Sequence, residues 1–280
     1  MATSGRLWYN IYRNWKYKMI IQYASDLHLE FRQNREFMKL HPLQPKGDVL
    51  LLAGDVVPFY IMHKQDDFFN YLSDHFQTTY WIPGNHEYYH FDVSDKCGTL
   101  HEKIKSNVFL VNNISIINND IQFIFSTLWS NISPENGWLL EQNMSDFEFI
   151  KYKSYRFSYT RFNQLHQECM EFVKHELSRE KVNQSVMVTH HVPTYLHYPE
   201  KYKGNILNEG FAVELDDLIK TNGPDCWIFG HHHFNTPDFE IGHTQMKTNQ
   251  LGYVEHNEHL LFDPGKIFEF DNRSDLRCRL

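Results

Sequence analysis

The stretch MIIQYASDLHLEF (residues 19–31) shows the pattern on which the fold prediction rests, a short apolar strand that runs into polar residues. MIIQYA is apolar and rich in β-formers, and SDLHLE follows it directly. The same pattern returns at residues 48–53, where DVLLLA precedes GDVV, and at residues 79–82, where TYWI precedes PGNHE. Short continuous apolar runs are typical of strands covered on both faces. We therefore predict an α/β protein with functional loops at the carboxyl ends of its strands.

Helical and strand-like segments alternate along the rest of the chain. Residues 66–76 and 162–177 carry apolar side chains at helical spacing, and residues 213–219 form a third predicted helix that Asn222-Gly223-Pro224 closes. Further strands are predicted at 108–111, 114–117, 121–125, 186–188 and 226–229, and in FEI, MKT and KIFEF of the last quarter. Because no repeat, low-complexity tract or linker interrupts this pattern, residues 19–280 are predicted to form a single domain.

Composition and charge limit the classes of function. The chain has 280 residues, of which 41% are apolar and 22% charged, enough for a sizeable core. No apolar run approaches the ~18 residues that span a bilayer, so a membrane protein is not predicted. The net charge of −8 argues against a general nucleic-acid binder, whose affinity depends on neutralising phosphates. The 18 histidines are the feature that calls for a chemical explanation.

The N-terminal segment and the cysteines bear on the cellular location of the protein. Residues 1–18 hold Arg6, Arg13, Lys16 and Lys18 with no acid and lack the apolar stretch of a signal peptide. We interpret them as an N-terminal extension that is disordered or not native, with Met19 as the natural start; a functional basic arm is the alternative. Cys97, Cys169, Cys226 and Cys278 form no CxxC pair, so reduced thiols and a cytoplasmic location are expected.

Five predicted strand ends terminate in Asp, Asn or His. They are, in chain order, Asp26-x-His28, Gly54-Asp55, Gly84-Asn85-His86-Glu87, His190-His191 and Gly230-His231-x-His233. Residues two apart on an extended segment point the same way, so each Asp/His or His/His pair is expected to project together. The glycines allow sharp turns and close backbone approach. Because parallel strands end at one edge of a sheet, these side chains are expected to meet in one pocket.

The donor types indicate a metal site. Oxygen and imidazole ligands without thiolate suit Mn²⁺, Fe or Zn²⁺ and disfavour a cysteine-rich structural zinc site. Seven or more ligands exceed what one such ion takes, so two divalent ions that share a carboxylate are predicted. Two ions about 3.5–4 Å apart are the usual arrangement for in-line displacement at phosphorus.

The ordered series D-x-H, G-D, G-N-H-E, H and G-H-x-H, from Asp26 to His233, resembles the calcineurin-like metallophosphoesterase superfamily. The resemblance implies an α/β fold, a four-layer α/β/β/α sandwich of two mixed sheets. It also implies that a first ion is held by Asp26, His28, Asp55 and His233, and a second by Asp55, Asn85, His190 and His231. A hydroxide between the ions would attack phosphorus, and His86 would stabilise the phosphoryl oxygens or protonate the leaving alkoxide. Glu87 is expected beside the ligands rather than among them.

Two histidine assignments depend on choices within short motifs. Either His190 or His191 could bind metal, and the family's use of the first histidine favours His190. In Gly230-His231-His232-His233 the two-residue alternation directs His232 away from the ions.

The subgroup and the substrate are less defined by the sequence. Gly54-Asp55 is followed by VVPF, without the arginine of the GDxxDRG phosphatases or the tyrosine of purple acid phosphatases. SDLHLEF and GNHEYY are similar to a little-characterised bacterial subgroup that often has a cap-like insertion, here at about residues 129–161. Within and near it, Tyr88, Trp129 and Arg156 are the candidate substrate contacts, with packing of the aromatic residues as the alternative. Asp146 is a candidate support for the metal site.

The predicted function is hydrolysis of a small phosphorylated substrate. The substrate is a phosphomonoester or a phosphodiester, and a nucleotide is one candidate. The alternatives are a non-catalytic interaction scaffold of the same fold and a nuclease. A scaffold is expected to have lost ligands, whereas all seven are present here, and no basic DNA-facing surface is apparent for a nuclease.

Overall fold

The computed structural model describes residues 19–180 and 184–270. The predicted N-terminal extension and Cys278 lie outside the described residues. Two six-stranded sheets form the centre of the molecule. The first has the order β14-β1-β2-β3-β5-β4, with β1 at Ile21–Ala24, β2 at Val49–Ala53, β3 at Thr78–Ile82, β4 at Leu100–Lys103, β5 at Val108–Asn112 and β14 at Ile267–Phe268.

The second sheet has the order β12-β13-β11-β10-β7-β6. Its strands are β6 at Ile114–Asn118, β7 at Ile121–Ser126, β10 at Gln184–Thr189, β11 at Cys226–Ile228, β12 at Phe239–Ile241 and β13 at Thr244–Lys247. A separate hairpin pairs β8 at Lys151–Tyr152 with β9 at Tyr155–Arg156. In each large sheet four neighbouring strands are parallel and the two outer strands are antiparallel, so both sheets are mixed.

The two sheets pack face to face through alternate side chains. In β2, Val49, Leu51 and Ala53 join a core that includes Phe123 and Val188 of the second sheet. The intervening leucines of β2 point to the opposite face. This alternation, with period two, explains why β2 is apolar at every position: one set faces the other sheet and one set faces helices.

Helices cover the outer face of each sheet. They are α1 at Arg32–Leu40, α2 at Asp66–His75, α3 at Gly137–Asn143, α4 at Asp146–Phe149, α5 at Tyr159–Ser178 and α6 at Asp216–Asn222. Phe69 and Leu72 of α2 pack on the first sheet, whereas Val173 of α5 and Ile219 of α6 pack on the second. The result is the four-layer α/β/β/α sandwich, which confirms the predicted fold class. No helix within the described ranges is long and apolar enough to cross a membrane.

The predicted helix at residues 213–219 begins later than expected. Val213 and Leu215 donate their backbone N–H groups to the carbonyls of Val192 and Pro193. Since these groups are used in pairing with another segment, the helix starts only at Asp216, where two acids occupy its first turn. The predicted boundary at residue 213 is therefore wrong, although the end at Gly223 is as expected.

Candidate metal centre

The five polar strand ends meet at one edge of the two sheets. Asp26 and His28 follow β1, Asp55 follows β2 and Asn85 follows β3, while the second sheet contributes the residues after β10 and β11. The sheets are linked directly here, because the backbone N–H of His231 donates to the Asp26 carboxylate at 3.0 Å. The parallel order of the strands therefore gathers residues up to about two hundred positions apart into one pocket.

The backbone at this edge is left-handed at five predicted ligands. Their φ angles are positive: Asp26 56°, His28 47°, Asp55 54°, His231 78° and His233 49°. A left-handed residue other than glycine costs roughly 1–2 kcal/mol, and such strain persists where the surrounding structure fixes it. The side chains of each predicted pair therefore project together because of this turn-like backbone. The predicted cause, alternation along an extended strand, is wrong.

Two groups of donor atoms share one carboxylate. Donors of Asp26, His28, Asp55 and His233 all lie within 4.8 Å of one another, and donors of Asp55, His190 and His231 form a second such group. Nε2 of His28 is 2.9 Å from Nε2 of His233, and Nε2 of His190 is 3.0 Å from Nδ1 of His231. Asn85 extends the second group, since its Oδ1 lies 3.1 Å from Nε2 of His190.

The outward ring nitrogens of these histidines face oxygen acceptors. Nδ1 of His28 lies 3.0 Å from the Glu30 carboxylate, Nδ1 of His233 lies 2.7 Å from that of Glu258, and Nδ1 of His190 lies 2.9 Å from the Ala53 carbonyl. In a neutral ring the proton then occupies the outward nitrogen, which leaves a lone pair directed into the site. Two such nitrogens about 3 Å apart can direct their lone pairs at one cation. Because each donor group contains one such pair, the residues suit two divalent ions.

Buried carboxylates make positive charge energetically favourable at this site. Asp26 and Asp55 are buried almost completely. Burial favours neutral imidazole, but the charge and hydrogen bonding of Asp55 outweigh it and raise the pKa of His190 to about 9. Likewise, hydrogen bonds with Asp26 and Glu258 outweigh burial and raise the pKa of His233 to about 10. The donor set therefore attracts cations, as a centre for divalent metals requires.

His86 lies beside the two donor groups and is oriented by a glutamate. Its Nδ1 is 2.9 Å from the Oε1 atom of Glu30 that also contacts His28. Its ring stacks on Tyr89 at a centroid distance of 4.1 Å, and its Nε2 lies 3.4 Å from the Tyr253 hydroxyl. Sequence reasoning missed Glu30, although its position two residues after His28 in SDLHLE was a usable signal.

Two further acids fix the loops that carry the donors. The Glu87 carboxylate accepts the backbone N–H groups of Asp55, Val56 and Gly84 at 2.9, 2.6 and 2.6 Å, and so ties the ends of β2 and β3 together. Asp146 accepts the Asn85 amide at 2.8 Å, which leaves the Asn85 carbonyl oxygen directed at His190. Both residues thus lie behind the donors, where they were expected.

Glycine is needed where these loops touch. A Cβ atom at Gly84 would collide with the Asp55 carboxylate, and one at Gly54 would collide with the His190 ring. The close backbone approach predicted for these glycines therefore lets the loops after β2 and β3 lie directly against the donor side chains of Asp55 and His190.

The neighbouring histidines take other positions. His191 packs against Trp129 and Phe162, outside both donor groups. His232 lies against the Gln250 side chain, which is 3.0 Å from its Nδ1, and also lines part of the cavity described below.

A cavity of about 330 Å³ opens on the donor groups, but the three predicted substrate contacts do not line it. Tyr88 and Trp129, 0% and 2% exposed, belong to the hydrophobic core. Tyr88 lies in the turn His86–Tyr88 and donates its hydroxyl to the Lys96 carbonyl, so that the next residue, Tyr89, reaches the cavity instead. Arg156 donates to the carbonyls of Phe147 and Glu141 and faces a separate recess. These three predictions need correction.

The far side of the cavity comes from two segments. One is residues 143–146, from the end of α3 to the start of α4, which lies within the predicted cap-like insertion and contains Asp146. The other is residues 198–211, which precede α6 and were not predicted to contribute. We call their lining residues the distal wall; they are Asn143, Met144, Ser145, Asp146, Tyr198, Tyr202, Asn205, Leu207, Asn208 and Phe211. Irregular segments of this kind carry no periodic signal.

Comparisons with known proteins agree with this geometry. The sequence model of the calcineurin-like phosphoesterase family matches residues 21–235. The chain is 29% identical over 279 residues to uncharacterized protein L509 of Acanthamoeba polyphaga mimivirus, a match that covers 90% of this chain and 97% of the relative.

Two solved structures show similarity to the chain. The phosphopantetheinyl hydrolase PptH from Mycobacterium tuberculosis superposes with a TM-score of 0.67 at 15% identity, covering 90% of this chain and 96% of that one. A dimetal phosphatase from Danio rerio gives a TM-score of 0.48 at 12% identity, with 88% and 89% covered. The first of these supports the four-layer architecture.

Proposed function

The chain belongs to the calcineurin-like phosphoesterase family, and from this premise we propose that it hydrolyses a phosphomonoester or phosphodiester at the edge where its two sheets meet. The observation that carries the proposal is the pair of buried donor groups that share Asp55. A scaffold has no use for carboxylates and imidazoles held this closely, since each costs desolvation free energy unless a partner compensates it. The enzyme reading is therefore favoured.

The proposed ligands follow the two groups. Asp26, His28, Asp55 and His233 hold one ion. The second is held by Asp55, Asn85, His190 and His231. The donor types suit Mn²⁺, Fe or Zn²⁺. When bound, such ions supply Lewis-acid charge to the phosphoryl oxygens and make water a better nucleophile.

The chain's own residues then position and protonate the substrate. In the reaction water releases a proton as its oxygen bonds to phosphorus, the bond from phosphorus to the leaving oxygen breaks, and the leaving oxygen takes up a proton, so that protons balance overall. His86 is the proposed donor, because Glu30 engages its Nδ1 and its ring lines the cavity. Tyr253 and Tyr89 flank the imidazole and limit its rotation.

Metal content and hydrolysis test this proposal together. We expect the purified chain, reconstituted with Mn²⁺, to hold about two ions and to hydrolyse p-nitrophenyl phosphate or bis-p-nitrophenyl phosphate. Asp55→Asn is expected to lose both ions and activity, because it alters the shared donor. Asp74→Asn, an exposed change on α2, is the matched control and is expected to behave as the wild type. Less than one ion per chain, or full activity in Asp55→Asn, would contradict the dinuclear centre.

A further inference from the structure

The distal wall is held rigidly against the donor groups. The Glu209 carboxylate accepts the Ser133 backbone N–H at 2.7 Å and the Asn136 side-chain amide at 2.7 Å, so it ties the segment 198–211 to the start of α3. The backbone of Gly210 also packs directly on the Met144 thioether. Both segments of the wall are therefore in contact with each other in the absence of substrate.

The cavity has no lysine or arginine in its lining. Among the residues that the structure describes, neither type lines it, whereas Asp55, Asp146 and Glu258 do. Positive charge for a substrate is thus available at the donor groups, through bound ions, and at the adjacent imidazole of His86, but not at the distal wall.

Two cationic side chains close to the cavity do not line it. The Lys201 ammonium lies over the ring of Tyr202, 4.5 Å from its centroid, and the side chain is exposed. Its charge interacts with the carboxylate of Glu258, which does line the cavity. Arg156 is on the other side of residues 143–145, where two carbonyls occupy its guanidinium.

Two acids of the lining are each engaged through one oxygen, and the other oxygen of the Asp146 carboxylate is buried without a hydrogen-bond partner. Asp146 accepts hydrogen bonds from Asn85 and from the Tyr89 hydroxyl, both at 2.8 Å. Glu258 is held by the His233 ring and by the Tyr253 backbone N–H, both at 2.7 Å. Aromatic rings and amides make up most of the remaining surface, among them Tyr202, Phe211 and Asn208.

We propose that this enzyme selects phosphoesters whose leaving group carries no negative charge and has an aromatic or apolar body. The inference rests on the proposed function and concerns the substrate class of the same site. One phosphoryl group meets the ions, and the leaving group lies against the distal wall. A second anionic group on that part of the substrate would lose its hydration next to Asp146 and Glu258 without gaining a cation. A cavity of about 330 Å³ suits a leaving group no larger than a small ring system.

A pair of aryl phosphates tests this selection. We compare 4-carbamoylphenyl phosphate with 4-carboxyphenyl phosphate, which have leaving groups of nearly equal shape but differ by one charge. For the Mn²⁺-loaded wild type, kcat/KM is expected to be about tenfold or more higher for the uncharged substrate, because like charges in a desolvated site repel.

A charge placed in the distal wall separates this preference from the intrinsic reactivity of the two esters. Ser145 is exposed at the cavity rim, between α3 and α4, so Ser145→Lys adds a cation there. We expect Ser145→Lys to reduce the ratio of the two kcat/KM values by about tenfold. Gln167→Lys, which adds the same charge on the exposed face of α5, is expected to leave the ratio unchanged.

The outcomes distinguish the two proposals. If neither aryl phosphate nor bis-p-nitrophenyl phosphate is hydrolysed, the proposed function itself fails. If both aryl phosphates are hydrolysed at equal rates, or the carboxylate faster, the hydrolase stands and the selection is overturned. If the uncharged ester is faster but Ser145→Lys leaves the ratio unchanged, the preference belongs to the esters and the selection is likewise overturned. Should the variant not fold, the ratio of the two uncatalysed hydrolysis rates supplies the intrinsic reactivity with which the wild-type ratio is compared.

Discussion

At the residue scale, Asp55 has the most demanding position in the molecule. It is the donor common to both groups, it has a left-handed backbone, and its carboxylate also accepts the His86 backbone N–H at 2.9 Å. It therefore links the candidate metals to the residue proposed to donate the proton. A change at Asp55 is expected to affect ion binding and proton transfer together, whereas a change at His86 should affect only the second.

The variant His86→Ala separates these two roles. We expect it to keep its metal, because the imidazole belongs to neither group that contains Asp55, and to lose roughly 10²–10⁴-fold in kcat, the range typical of a general acid. Metal analysis and steady-state kinetics on the same preparation give both values. His63→Ala, an exposed histidine, is the control. Loss of metal from His86→Ala would show that His86 is a ligand.

The residues of the donor groups were accessible to sequence reasoning, whereas of the distal wall only Asp146 was named, as a support for the metal site. Asp26, His28, Asp55, Asn85, His190, His231 and His233 each follow a strand, and a strand end fixes where a side chain goes. Tyr88 was misplaced because one residue decides which side of a short turn faces the cavity, and a sequence does not specify that rotation. Tyr202 and Phe211 lie on an irregular segment that only tertiary contacts position.

At the scale of elements, the strands agree with the sequence better than the helices do. β2 and β3 were each predicted to within one residue, since apolar runs bounded by polar turns define them. Helix α1 was not predicted, because RQNREFMKL has only two buried side chains, Asn34 and Met38. Such a helix depends on contacts such as that of the Asn34 amide with the Gly252 carbonyl, 218 residues away.

Glu209 joins two elements, and its removal tests whether the distal wall contributes to binding. Glu209→Ala leaves the Ser133 N–H and the Asn136 amide without their partner, so we expect unfolding in urea to become easier by about 1–3 kcal/mol. We also expect a higher KM for an aryl phosphate with unchanged metal content. Glu171→Ala, exposed on α5, is the control. An unchanged KM would mean that the wall does not depend on this tie.

At the scale of the whole molecule, the candidate metal centre lies between the two sheets. Asp26 and Asp55 follow strands of the first sheet, and His190 and His231 follow strands of the second. Each ion would therefore be bound by residues from both sheets. Ions bound in this way stabilise only the folded arrangement of the sheets. Metal binding and global stability should therefore be coupled.

Thermal unfolding measures this coupling. At an ion concentration one hundred times the dissociation constant, each of the two ions adds about 2.7 kcal/mol, and together they correspond to a rise of roughly 10 °C in Tm for a chain of this size. We expect such a rise between EDTA-treated and Mn²⁺-loaded protein, and a much smaller one for Asp55→Asn. Equal midpoints in the wild type would argue that the two sheets are not joined through metal.

The distal wall occupies chain segments separate from those that carry the donors. Residues 143–146 and 198–211 supply the wall, whereas the donors come from the strand ends before residue 90, after β10 and after β11. Substitution in the wall can therefore change what is recognised without altering the atoms that react. A library that randomises positions such as Ser145, Asn205 and Asn208, with every donor kept, offers a route to new selectivities on one unchanged reaction centre. Natural divergence within such a fold has the same freedom at the wall positions that touch no donor, but not at Asp146, which holds Asn85, or at Phe211, which stacks on His231.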